Sequence, residues 1–296
     1  MKVLSIIYLV YMFVSIYFLV LFLLLYFKNK KSLFDYPQTT KKYAISVLVP
    51  VWNEEKTIEE TIESIFEIDY PIKEVIVIND GSTDNTKIIV TKLLKRYTKL
   101  KLINQKNSGK GAALNAGLKI AKGELVVVID ADSYPAKDSF NKIVGFFEDE
   151  KVGAATCVFV PRNKDKFWEK MQVFEYNIIA FTRKLLGCVD AIYVTPGPLA
   201  MYRKSVLEEV GGFDTKNITE DIEIAWHITQ AGYKIRMTLS TNATTTAPDK
   251  LKSWYRQRRR WGIGGIQCIS KYKKDFFKKG MLGMFILPFF IFQVFL

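Results

Sequence analysis

The chain has 296 residues, 43 lysines and arginines against 30 aspartates and glutamates, and a formal net charge of +13. Its 49 % hydrophobic and 14 % aromatic content can bury a large core, which excludes intrinsic disorder. Cys157, Cys188 and Cys268 are odd in number and far apart, and His227 stands alone, which excludes a disulfide scaffold and a zinc site of ordinary spacing.

The basic excess asks for a negative partner, whether nucleic acid, lipid headgroups or a phosphorylated substrate. Val3 to Phe27 carries no charge. At 1.5 Å per residue it makes roughly 37 Å of helix, enough to cross a hydrocarbon core with some tilt. It is too long for a cleaved signal peptide and no small-residue cleavage site comes after it. Lys28, Lys30 and Lys31 flank its C-terminal side, against Lys2 alone on the other. The positive-inside rule then places the chain beyond this helix in the cytoplasm. Residues 1–28 are therefore expected to be a transmembrane helix in the cell membrane.

Next come alternating strands and helices. Ala44–Val49, Glu74–Ile78, Lys101–Ile103 and Leu125–Ile129 read as strands; Thr57–Phe66, Ile88–Tyr97 and Gly109–Ala121 read as helices. This alternation predicts an α/β fold with a mostly parallel sheet covered on both faces. Ligands of such sheets bind beyond the carboxyl ends of the strands. Pro50-Val51-Trp52-Asn53-Glu54, Asn79-Asp80-Gly81-Ser82 and Asp130-Ala131-Asp132 fall there. From Val152 the pattern changes. Ala154–Val160 reads as a strand and Phe167–Leu186 as a long aromatic, amphipathic helix. Then come Thr195-Pro196-Gly197-Pro198-Leu199, a Gly211-Gly212 turn and a helix opened by Thr219-Glu220-Asp221. The soluble domain is expected over 42–248 and an amphipathic interfacial segment over 249–280. Met281–Leu296 is apolar but short, and is expected to begin a second membrane segment, re-entering partway or cut from a longer chain. The sequons at Asn217 and Asn242 read as chance in a cytoplasmic domain.

Taken singly, the polar motifs are ambiguous. Asp130 and Asp132 sit at i and i+2 and face one space, which suits a hard divalent cation but reads more readily as a solvated turn. Asp80-Gly81-Ser82 is a plain turn or an acceptor for a nucleobase or ribose. Ser108-Gly109-Lys110-Gly111 opens a helix where a phosphate can approach, or is a simple cap; it is neither a P-loop nor a complete GxGxxG. Thr219 is a natural N-cap with Glu220 and Asp221 in the first turn; alternatively an acidic residue there is a general base. Gln257-Arg258-Arg259-Arg260-Trp261 is an interfacial anchor, a nucleic-acid patch or a diphosphate clamp with an aromatic platform.

As an ordered set, these residues resemble the family 2 glycosyltransferases with a GT-A, Rossmann-like fold. VPVWNEE, INDGSTDNT, NSGKGAALNAG, VVVIDADS, TPGPLAMYRKSVLEEVGGFD and TEDIEIAWHI occur in the family's order, over roughly Ala44 to Trp261. QRRRW resembles the Q(Q/R)xRW signature of the membrane-embedded branch, the cellulose, chitin, hyaluronan and poly-N-acetylglucosamine synthases. The resemblance implies an inverting transfer of sugar from a nucleoside-diphosphate-sugar donor, expected to be a UDP-sugar, onto a growing polysaccharide or a lipid-linked acceptor. It implies that Pro50, Glu54, Asp80 and Lys110 serve donor binding, with Glu54 and Asp80 at the base. Asp130 is implied on the ribose or diphosphate side, and Asp132 with Asp130 on a divalent metal, Mg or Mn. Asp221 is implied as general base, shaped by Glu220 and Thr219. Gln257, Arg258 and Arg260 are implied at the diphosphate, and Trp261 on the acceptor sugar. The partners expected are the donor, the acceptor and the bilayer, not nucleic acid. The synthases carry several membrane helices after Q(Q/R)xRW, so a channel-forming partner or homo-oligomer is also expected.

Overall fold

The computed structural model describes residues 2–278 and 280–295. Met1, Lys279 and Leu296, which belong to the expected segments 1–28, 249–280 and 281–296, lie outside the described residues. In chain order the helices and strands are α1 (Lys2–Asn29), β1 (Ile45–Val51), α2 (Ile58–Phe66), β2 (Ile72–Asp80), α3 (Thr86–Leu93), β3 (Leu100–Gln105), α4 (Lys110–Ile120), β4 (Leu125–Val128), β5 (Ser133–Pro135), α5 (Ser139–Val144), β6 (Val152–Pro161), α6 (Phe167–Gly187), β7 (Ala200–Arg203), α7 (Lys204–Glu209), α8 (Glu220–Gln230), β8 (Lys234–Thr245), α9 (Leu251–Tyr272) and α10 (Leu287–Phe295).

The strands form one mixed sheet in the order β3-β2-β1-β4-β7-β6-β8-β5. β3, β2, β1 and β4 run parallel. β1 is buried at every position because both sheet faces are covered. Val47 and Val49 point into a core shared with Ile58, Ile62 and Phe140. Leu48 points the other way, toward Leu114 and Trp226. This alternation of buried faces is the period of two that a strand imposes.

The second half mixes the two pairing directions, within the mostly parallel sheet that the sequence predicts. β7 enters beside β4 in the antiparallel sense, with Ala200 opposite Val128. β6 then pairs antiparallel with β7 and parallel with β8. The physical effect is local: the start of β7 lies beside the end of β4, so Thr195–Leu199 is carried to the Asp130 turn. Asp130 N–H donates to Gly197 O at 3.0 Å. A Cβ on Gly197 would collide with the Asp130 carboxylate, so this motif glycine makes room for it.

Helix α9 is clamped onto α8 by a buried polar knot. Glu223 is fully buried; its Oε1 accepts from Lys271 Nζ at 2.5 Å and from Tyr272 OH at 2.7 Å. Gln267 Oε1 also accepts from Ile218 N–H at 3.1 Å. Gly264 faces Thr219 so closely that any Cβ would strike its side chain. Helix α10 packs on the same unit: the Phe290 ring lies 5.2 Å from Trp226 and 5.5 Å from Tyr193. Phe289 meets Phe18 of α1 at 4.9 Å. Helix α1 is long and apolar enough to cross a membrane, and its outer face is not covered by protein. Glu223→Leu is expected to lower stability by about 1–3 kcal/mol, because the buried Tyr272 hydroxyl loses its acceptor. Thermal unfolding of the detergent-solubilised protein would measure it.

Candidate active site

The loops at the carboxyl edge of the sheet are tied to one another by side chains. Asn53 N–H donates to Ser82 Oγ, and its own Oδ1 accepts from Thr83 N–H at 2.7 Å. Glu54 N–H donates to Thr86 Oγ1 at 2.9 Å. Asp80 is buried, and its carboxylate accepts from Ser108 N–H, Gly109 N–H and Gln105 Nε2 at 2.7–2.9 Å. It therefore fixes the entry to α4, and with it Lys110.

Lys110 Nζ lies 2.6 Å from Asp130 and 2.7 Å from Glu220. One cation thus joins the turn after β4 to the first residue of α8. Around it opens a cavity of about 430 Å³, walled by Lys110, Asp130, Asp132, Glu220, Asp221, Thr219, Gln257, Arg260 and Trp261. The structure brings these predicted residues together. It does not bring Pro50, Glu54, Asp80 or Arg258 to the cavity wall.

Two of these positions differ from the sequence reading in a way the local chemistry explains. Thr219 occupies the N-cap position, but its hydroxyl makes no cap hydrogen bond. It donates instead to Asn217 Oδ1 at 3.0 Å. The start of α8 is pinned by backbone: the Asp221 carbonyl accepts from Thr195 N–H and Thr195 Oγ1 at 3.2 and 3.0 Å. Arg258 is taken up by Glu175, at 2.5 and 3.0 Å, and by Gln257 Oε1 at 2.7 Å. Its guanidinium also lies 4.1 Å from the Trp261 ring centre, so it holds that ring in place. Sequence reading missed Phe159 and Tyr176, which also line the cavity. Both sit in segments that read as ordinary core, and only the packing reveals them.

The electrostatics come from crowding carboxylates out of water. Burial pushes Asp132 up to about 6, helped by the Asp130 and Glu54 charges. Burial likewise raises Asp221 to about 6, with Glu220 adding to the shift and Lys110 opposing it. Glu54 is also raised by burial, partly offset by its hydrogen bond from Thr57. Burial opposes the charge on Lys110, but Asp130, Glu220 and Asp221 outweigh it and hold the ammonium well above its ordinary value. Lys110→Met is expected to move the Asp221 titration further up. The carboxyl band in infrared difference spectra against Asp221→Asn would show it.

Comparison with known proteins identifies the family and the fold. The glycosyl transferase family 2 pattern matches residues 46–211. The chain is 33 % identical over 283 residues to a poly-beta-1,6-N-acetyl-D-glucosamine synthase of Staphylococcus epidermidis, covering 94 % of this chain and 69 % of that protein. It is 33 % identical over 271 residues to the synthase of Staphylococcus aureus, covering 90 % of this chain and 65 % of that one. The chain thus spans about two thirds of the length of these curated relatives. A mannosyltransferase from Pyrobaculum calidifontis, solved with GDP-Man and Mn2+, superposes with a TM-score of 0.71 at 26 % identity, covering 96 % of this chain and 80 % of that one. S. aureus TarS 1-349 shares the fold with a TM-score of 0.52 at 24 % identity, over 75 % and 65 % of the two chains. With its motifs in order, its carboxylates gathered around one cavity and these relatives across nearly its whole length, the chain belongs to glycosyl transferase family 2 and is a glycosyltransferase.

Proposed function

We propose that this protein transfers a sugar, with inversion, from a UDP-sugar to a growing polysaccharide, with N-acetylglucosamine as the sugar. The observation that carries the reading is that one cavity holds Asp221, the Asp130/Asp132 pair, and Gln257, Arg260 and Trp261. The similarity to the poly-N-acetylglucosamine synthases supports the choice of sugar and product.

Asp221 serves as the general base that takes the proton of the acceptor hydroxyl. The anomeric carbon becomes oxocarbenium-like as the bond to the diphosphate breaks, so an oxygen activated on the opposite face completes the inversion in one displacement. Glu220 and Thr219 shape the surroundings of that base. Arg260 and Gln257 bind the leaving diphosphate, and Arg258 acts through Trp261. Pro50, Glu54 and Asp80 build the donor loop from behind the cavity.

Among the described residues no three metal-ligating side chains gather. That fits a magnesium- or manganese-type cation, which takes one or two carboxylates and completes its shell with phosphate oxygens. Asp132 is the suitable ligand, since among the described residues its carboxylate accepts a side-chain hydrogen bond only from Ser133, at 3.2 Å, and Asp130 stands beside it. When bound, such a cation offsets the charge on the leaving diphosphate. Helix α1 crosses the cell membrane, with the catalytic domain on the cytoplasmic side and α9 at the interface.

Asp221→Asn is expected to lower transfer by about 10²–10⁴-fold while donor binding persists. Retained turnover would overturn the role. Because Asp221 works only when ionised, the wild-type rate is expected to rise with pH through about 6. Product sizing with UDP-N-acetylglucosamine should give a ladder of oligosaccharides. A single addition would favour a lipid-linked acceptor, a reading the apolar wall of α10 also suits.

A further inference from the structure

Behind Trp261 lies a second cavity of about 240 Å³. It is walled by Arg183, Tyr193, Asp221, Trp261 and Phe290, among others. Arg183 projects into it from α6 and is only 5 % exposed. Its Nη1 is buried without a hydrogen-bond partner among the described residues, and it forms no ion pair there. The Phe159 ring lies 5.2 Å away, and Tyr193, Asp221 and Cys157 lie within electrostatic range of the guanidinium. Burial pulls its pKa down to about 10, against the opposing influence of Tyr193, Asp221 and Cys157, so the guanidinium remains charged at neutral pH.

A buried N–H of a charged group without an acceptor is costly and needs an explanation. Simple core packing does not supply one, because an apolar residue would fill the space at lower cost. The position of the cavity narrows the answer. Asp221 lines both this cavity and the larger one. Anything held here therefore sits against the proposed base, on the side away from Asp130 and Asp132. A phosphate would satisfy Arg183 but would lie against the Asp221 carboxylate. A pyranose suits every wall: its hydroxyls accept from Arg183 and donate to Asp221, and its C–H faces pack on Trp261, Tyr193 and Phe290.

We infer that Arg183 is a specificity-determining residue that hydrogen-bonds the hydroxyls of the acceptor's terminal sugar and presents one of them to Asp221. This rests on the glycosyl transfer proposed above and adds the residue that reads the acceptor.

The test uses the full chain in detergent with β-1,6-linked N-acetylglucosamine oligosaccharide as probe. Binding is followed by tryptophan fluorescence, and transfer from UDP-N-acetylglucosamine by initial rates. Arg183→Gln is expected to raise the oligosaccharide Kd and acceptor KM about tenfold or more, the loss of hydrogen bonds to a charged donor. The affinity for UDP should stay within about twofold of the wild type, which also shows that the variant folds. Ile179→Trp, which fills the same cavity and keeps the guanidinium, is expected to give the same acceptor defect. Unchanged oligosaccharide binding in Arg183→Gln would overturn the inference, including the case where only a phosphorylated acceptor needs the arginine. An equal loss of UDP affinity would also overturn it, since that marks a structural role. A wild-type protein that binds the oligosaccharide but does not turn over the donor would overturn the proposed function instead, leaving the binding result to judge Arg183 on its own.

Discussion

The bridge made by Lys110 is the constraint on which the site depends. Glu54, Asp130, Asp132, Glu220 and Asp221 converge at one edge of the sheet, largely out of water, and like charges in such a place repel strongly. A single ammonium, 2.6 Å from one carboxylate and 2.7 Å from another, holds two loops from distant parts of the sequence against that repulsion. Asp80 fixes the helix that carries the lysine. Gly197 leaves the space in which the Asp130 carboxylate rests. Thr195 anchors the backbone of Asp221 and is itself held by the Tyr202 hydroxyl at 2.8 Å. Each of these positions makes sense as support for a crowded set of negative charges.

The parallel half of the fold was legible in the sequence because its signal is local. β4 is an uninterrupted apolar run, β1 and β2 are mostly apolar, and the polar motifs come at or after each strand end as the topology requires. The second half was less legible. The four-residue β7 and the three-residue β5 are too short to stand out, and β8 mixes buried and half-exposed positions irregularly. Pairing direction is a long-range property, so nothing in Ala200–Arg203 announces that it will insert antiparallel beside β4.

The same division applies to the site. Asp130, Asp132, Glu220, Asp221, Gln257, Arg260 and Trp261 stand in motifs whose order survives in the sequence, and they share a cavity wall. Arg258 reads like its neighbours in QRRRW, yet a helix turns successive residues about a hundred degrees apart, and this one faces Glu175. Thr219 reads as a cap, but a nearby asparagine offers its hydroxyl a better geometry. Arg183 lies in a helix whose aromatic and apolar neighbours look like ordinary packing. Only the three-dimensional arrangement reveals that, among the described residues, its Nη1 has no hydrogen-bond partner.

The contact of α10 with Trp226 and Tyr193 has a practical corollary. Phe290 closes the inner cavity while Phe289 and Phe292 rest on α1, so the wall of that cavity and the apolar helix α1 are one packed unit. A water-soluble fragment trimmed before residue 282 would keep the sheet, the carboxylates and QRRRW, yet its inner chamber would stand open to solvent. An amphiphile that covered the exposed apolar face of α1 would therefore border the same rings that enclose the cavity.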